Sequence, residues 1–140
     1  MQAPEQARKI AQSLVERGIV SGATAADALY IGDRSSGVQV RLGDTESVSR
    51  SEGEEVGLRL FVGQRSATVA SSDLSDEALG VLVERCLAMA KEAPEDPYVG
   101  LAPGDLLQQG EPPVIDADDG FEPDAAVLRT RALEAETTAL

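Results

Sequence analysis

Side chains able to do chemistry are sparse here, and their spacing combines few of them. The 140 residues include no histidine and one cysteine. Without histidine, Ser-His and Cys-His nucleophile pairs and every histidine metal site are excluded, and one thiol cannot build a thiolate zinc site. Asp116-Ala117-Asp118-Asp119-Gly120 resembles a calcium loop at first glance. Its glycine falls fifth where such loops place it sixth, and Val127 stands where the bidentate glutamate belongs, so the segment reads as a solvated acidic loop. No phosphate loop, dinucleotide turn or nucleophile elbow is present. Hydroxyls gather from Ser66 to Ser75, and the nearest lysine, Lys91, lies about four turns along the next helix. Such hydroxyls serve edge strands and caps. Arg59 and Arg65 could approach each other across a hairpin and bind an anion, or stand solvated on a strand face. The carboxylate pairs Glu54-Glu55, Asp76-Glu77 and Glu95-Asp96 fall at caps or in linkers, with nothing to raise a pKa. No catalytic, cofactor-binding or metal-ligating residue is assigned in this chain.

The elements that position these groups centre on Glu54 to Lys91. Val56, Leu58, Leu60 and Val62 alternate with Gly57, Arg59 and Phe61, the period of a strand with one face on a core. Gly63-Gln64 suits a two-residue type II′ turn, with glycine supplying positive φ at the first central position. Arg65 to Ser71 returns, with Ala67 and Val69 inward. Ser75 is a good N-cap, and Asp76 and Glu77 lie where the helix dipole favours negative charge. Leu79, Leu82, Val83, Cys86, Leu87 and Ala90 then make a helical stripe, with Lys91 in the last turn and Pro94 beyond. Cys86 on that stripe reads as a packed small hydrophobe rather than a nucleophile.

Upstream, residues 4–17 read as a helix begun by Pro4, with Ala7, Ile10, Ala11, Leu14 and Val15 on one face and Gly18 as its left-handed end. Ala28 to Ile31 is a short strand stopped by Gly32-Asp33 and turned at Ser35-Ser36-Gly37. Val38, Val40 and Leu42 form the next strand, which Gly43-Asp44 kinks or ends and Thr45 to Arg50 continues. The expected fold class is α+β: a mostly antiparallel sheet of about four strands with helices packed on one face. Residues 1–93 form that core.

Six of the seven prolines fall between Pro94 and Pro123, and residues 92–124 hold ten acidic residues with no Lys or Arg. Residues 94–123 therefore read as a Pro-rich acidic strap or linker, with Tyr98, Val99, Leu101, Leu106, Leu107, Val114, Ile115 and Phe121 as apolar anchors. Residues 124–140 read as a helix without a stop signal, expected to lead into a further C-terminal domain. Twelve basic against 25 acidic residues give a net charge of −13, which argues against a direct nucleic-acid partner and against anionic membranes. No run approaches the ~18 apolar residues of a membrane span. The amino-terminal residues lack a signal-peptide layout, and the lone cysteine fits a reducing cytoplasm.

The order of these features resembles the N-terminal domain of the TldD/PmbA family, also labelled modulator of DNA gyrase. The resemblance rests on Gly63-Gln-Arg-Ser-Ala67, on Thr68-Val-Ala-Ser-Ser-Asp-Leu-Ser75, on Ala88-Met-Ala90 and on Glu95-Asp-Pro-Tyr-Val-Gly-Leu-Ala102. The serine-rich and EDPYVGLA stretches resemble the PmbA (TldE) branch. Residues 132–140 resemble the segment that joins this domain to the rest of the molecule. The resemblance implies a cytoplasmic zinc peptidase assembly of a TldD-type and a PmbA-type subunit acting on small or unfolded peptides. Its zinc ligands belong to an HExxxH-type motif in the C-terminal domain of the TldD-type subunit. It implies a non-catalytic accessory role here, with a TldD-type subunit and peptides as partners and no cofactor in this chain. Two rival readings remain: a stand-alone acidic module capturing peptides on a sheet edge, and a dimerisation domain forming a homo-oligomer.

Overall fold

The computed structural model describes residues 2–111 and 113–140; the strap proline Pro112 and Met1 lie outside the described residues. The element order is α1 (Pro4–Val20), β1 (Ala25–Arg41), β2 (Asp44–Val62), β3 (Arg65–Ser71), α2 (Asp76–Glu92) and α3 (Ala125–Ala139), with a 3₁₀ turn at Gly104–Leu106. The three strands form one antiparallel sheet in the order β1-β2-β3, so the fold is α+β as expected, with three strands where about four were expected.

The difference lies in β1 and β2. Gly32-Asp33 does not stop a strand and Ser35-Ser36-Gly37 does not turn one; β1 runs through both for 17 residues. Likewise Thr45 to Arg50 and the hairpin strand are one 19-residue β2. Residues Arg34–Arg41 and Asp44–Glu52 are mostly exposed, with Gly37, Val38 and Val40 half-buried and none fully buried, so polar residues do not interrupt the ribbon. Gly37 allows a close approach, since a Cβ there would lie 3.1 Å from Ser49 Oγ, tighter than an ordinary contact. The turn falls at Leu42-Gly43, with φ of 51° and 84°, the double positive φ of a type I′ hairpin.

The second hairpin matches its sequence. Gly63 takes φ 61° and the register runs from Val62↔Arg65 to Val56↔Ser71 without interruption. Val56, Leu58 and Leu60 are buried with Leu14 of α1 and Leu79, Leu82, Val83, Cys86 and Leu87 of α2. Ala26, Ala28, Tyr30, Ala67 and Val69 pack on the same cluster, so both helices cover one face. Ser75 caps α2 by accepting from the Ala78 amide at 3.3 Å. Gly18 does not end α1, which continues to Val20; the positive φ falls at Gly22. Gly18 instead faces the sheet: a Cβ would stand 2.5 Å from Leu60 Cδ2, so glycine lets α1 seat on β2.

By internal contacts the chain forms two compact units. The first comprises the residues through Asp33 with Gly53–Leu107; the second comprises Arg34–Glu52 with Gln108–Leu140. In the first, Asp96 donates its amide to Gln64 O (2.8 Å), and the apolar residues Tyr98, Leu101, Leu106 and Leu107 are exposed while Val99 is half-buried. In the second, Val114, Ile115 and Phe121 are exposed. Asp124 caps α3 by accepting from Val127 N at 2.8 Å. Among the described residues no helix is long and apolar enough to cross a membrane.

Candidate functional site

Several of the groups singled out in the sequence are engaged in local structure. Cys86 is fully buried on α2, its Sγ 3.3 Å from Ala67 O and 3.5 Å from Leu58 O. Burial pushes its thiol pKa up, the opposite of what a thiolate nucleophile requires. Asp118 and Asp119 fold their carboxylates back onto the amides of Gly120 and Phe121 (2.8 and 3.0 Å), and among the described residues no cluster of metal-ligand side chains forms. Ser71 and Ser75 are spent on the turn at Asp73 and on the helix cap. The Ser75 amide, donating to Asp73 Oδ1 at 2.9 Å, and then the Ser75 hydroxyl hold the Asp73 carboxyl below its usual range.

Arg59 and Arg65 do not meet. Register places Arg59 opposite Thr68 and Arg65 opposite Val62, at the turn. Arg65 donates to Lys91 O (2.8 Å) and to Glu95 (3.3 Å), tying the hairpin to the end of α2. Arg59 forks onto both oxygens of Asp27 and lies 5.1 Å over the Phe61 ring. Among the paired carboxylates, Asp76 bonds Arg17, and Glu54 accepts from Tyr30 Oη at 2.6 Å. That bond holds the Glu54 carboxyl below its usual range, while burial and then Glu54 push the Tyr30 phenol up.

What this unit offers is surface. On the sheet face away from the helices, Leu29 (62% exposed) and the Asp27–Arg59 pair border a shallow depression of about 450 Å³ with Gly57 and Thr68. A second depression, about 400 Å³, lies between the end of β3 and α2, lined by Ala70, Ser71, Val81, Leu82 and Arg85 among others. Sequence reading missed both, because the first needs the pairing of β1 with β2 and the second needs α2 placed against β3. The one legible signal was Val81, an apolar residue off the core stripe of α2.

In the second unit, Glu136 accepts from the amides of Leu42 (2.6 Å) and Gly43 (2.8 Å), capping the hairpin turn. Arg34 and Arg50 share Glu52 and Glu122 between them, at 2.8–3.6 Å. The Arg50 bond, followed by the charge of Arg34, holds the Glu52 carboxyl below its usual range.

Residues 26–90 match the family described as PmbA/TldA metallopeptidase domain 1. The chain is 32% identical to the Haemophilus influenzae metalloprotease PmbA homolog over 138 residues, which is 97% of this chain and 30% of that protein. It is 27% identical to metalloprotease PmbA of Escherichia coli O157:H7, over 93% of this chain and 28% of that one. In fold it is similar, with a TM-score of 0.72 and 18% identity, to a Bacteroides thetaiotaomicron protein provisionally named a modulator of DNA gyrase; 81% of this chain superposes on 25% of that one. The chain thus spans under a third of the length of these relatives. Together these likenesses support reading the chain as similar to the N-terminal domain of the TldD/PmbA family, with residues 26–90 matching its first domain.

Proposed function

We propose that this chain is the N-terminal domain of a PmbA-like accessory subunit in a cytoplasmic zinc peptidase assembly that acts on small or unfolded peptides. The observation that carries the reading is the likeness to two proteins named metalloprotease PmbA over nearly all of this chain. The donor chemistry supports placing catalysis elsewhere. A histidine-free sequence with one buried thiol has no set of side chains suited to hold a catalytic zinc. In this reading the TldD-type partner supplies the zinc-bound water that attacks the amide. The domain contributes a wall of the peptide chamber and part of the subunit interface.

The test is to incubate flexible peptides and zinc with the chain alone, with a TldD-type subunit alone, and with both. Cleavage that requires the TldD-type subunit, together with co-elution of the two proteins, is the expected result. Cleavage by the chain alone, or no association with the TldD-type subunit, overturns it.

A further inference from the structure

We propose that the free edge of β3 is a two-fold interface on which β3 of a second copy pairs antiparallel, centred on Thr68, to join two sheets into one. The inference goes beyond the accessory-subunit reading and does not depend on it.

The backbone states the need. Among the described residues β3 is an edge strand, paired with β2 alone. Val62↔Arg65 flanks a two-residue turn, so it exchanges ladder hydrogen bonds, and every second pair after it does the same. Ser66, Thr68 and Ala70 therefore direct their amides and carbonyls away from β2. Edge strands are ordinarily protected by charge, proline or a bulge. Residues 66–70 (Ser-Ala-Thr-Val-Ala) carry no charge and no proline, and their register is unbroken. The opposite edge, β1, carries Asp27, Asp33, Arg34 and Arg41.

The edge fits itself. Under a dyad through Thr68, Ser66 lies opposite Ala70 of the second copy, and Thr68 opposite Thr68. All three outward positions then meet outward positions, and each donor meets an acceptor.

The helix completes the fit. Cys86 Sγ lies against Leu58 O of β2 and Ala67 O of β3 at once, which seats α2 over the seam between the two strands. With strands about 4.8 Å apart, two such helices fall about 10 Å apart across the dyad, a helix-packing distance. The face of α2 that borders the edge carries Val81 and Met89, 49% and 48% exposed, on either side of Arg85. An extended peptide would satisfy the strand but bring no second helix to cover these side chains; a second copy does both. The net charge of −13 per chain opposes association, so pairing strengthens as salt screens it.

Sedimentation of the 140-residue chain over a concentration series tests this. The mass should rise from 14.6 kDa toward twice that value, at lower protein concentration when salt is raised. Amides of Ser66, Thr68 and Ala70 should gain exchange protection over the same range. T68P removes an outward amide that takes no part in the β2–β3 ladder, and V81R adds a second cation beside the Arg85 of each copy, which lies level with the dyad. Each should weaken the dimer at least about tenfold with the circular dichroism unchanged. V81R, on an exposed site, decides the matter if T68P fails to fold. A wild-type chain that stays at 14.6 kDa throughout, a dimer that survives V81R, or protection of the edge only by added extended peptide overturns the proposal.

Discussion

The two units of this chain are held together by different physics. Among the described residues, all the buried apolar side chains belong to the first: Leu14, Val56, Leu58, Leu60 and the α2 stripe form one cluster. In the second, neither the ribbon Arg34–Glu52 nor α3 has a buried residue. Its described apolar side chains are at most half-buried, Val38, Val40, Val127, Leu128 and Leu133 among them, and polar contacts run between its elements: Glu136 on the Leu42-Gly43 amides, Arg129 on Thr45, the Arg34–Glu122 group, and Arg131 over Phe121 at 5.4 Å. Burial of apolar area gives cooperative global stability, whereas exposed polar contacts add little each and open locally. One chain thus contains a unit that should unfold as a whole and a unit that should open on its own.

The largest effect expected from this contrast is in the core. Leu58→Ala, at a side chain with no solvent exposure, should cost about 3 kcal/mol in denaturant unfolding, while Val48→Ala on the exposed ribbon should change it by less than about 0.5 kcal/mol. Comparable losses at both positions would erase the distinction. Next in size is Glu136→Ala. Removing this carboxylate frees two turn amides, so exchange at Leu42 and Gly43 should accelerate about tenfold with the denaturation midpoint unmoved. A shift in the midpoint would show that the second unit unfolds with the first.

The same contrast explains what could be read in advance. The Gly63-Gln64 turn, the Ser75 cap and the α2 stripe were legible because each couples a local preference to a buried face. Between Arg34 and Glu52 the strands around Val38–Val40 and Thr45–Arg50 were legible but their continuity was not, because a ribbon with no fully buried residue fixes its pattern only weakly. Ser35-Ser36-Gly37 then looks like a turn although ladder pairing carries the strand through it. Gly18 misled for the converse reason: its glycine serves Leu60 across the interface, a contact invisible along the chain. The lack of histidine and the single cysteine were legible from composition. The β3 edge and the depressions were not, since they are made by pairing order and helix placement.

A third prediction uses Cys86 as a probe of the packed unit. Burial raises the thiol pKa in the fold, so the unfolded chain loses its proton first, at about pH 8.5. The unfolded state then binds fewer protons than the native one, and stability falls as pH rises through that value toward the folded pKa. Below pH 8.5 the contribution is fully present. The slope from this group is at most about 1.4 kcal/mol per pH unit. Cys86→Ala should flatten it, and an unchanged slope would assign the alkaline loss to other groups.

The smallest effect sharpens the account of the polar unit. Leu42 sits at φ 51° with 78% of its surface exposed, so it bears left-handed strain without packing in return. Type I′ turns favour Asn-Gly, and Gly43 already supplies the second half of that pair. Leu42→Asn should therefore stabilise the hairpin by about 0.5 kcal/mol, read as slower amide exchange near the turn. The Glu136 bonds use backbone amides and survive the change. The global midpoint should not move, because the ribbon opens without the core. If Leu42→Asn instead accelerates exchange, the leucine side chain holds the turn through contacts of its own, and the ribbon is less purely polar than its exposure indicates.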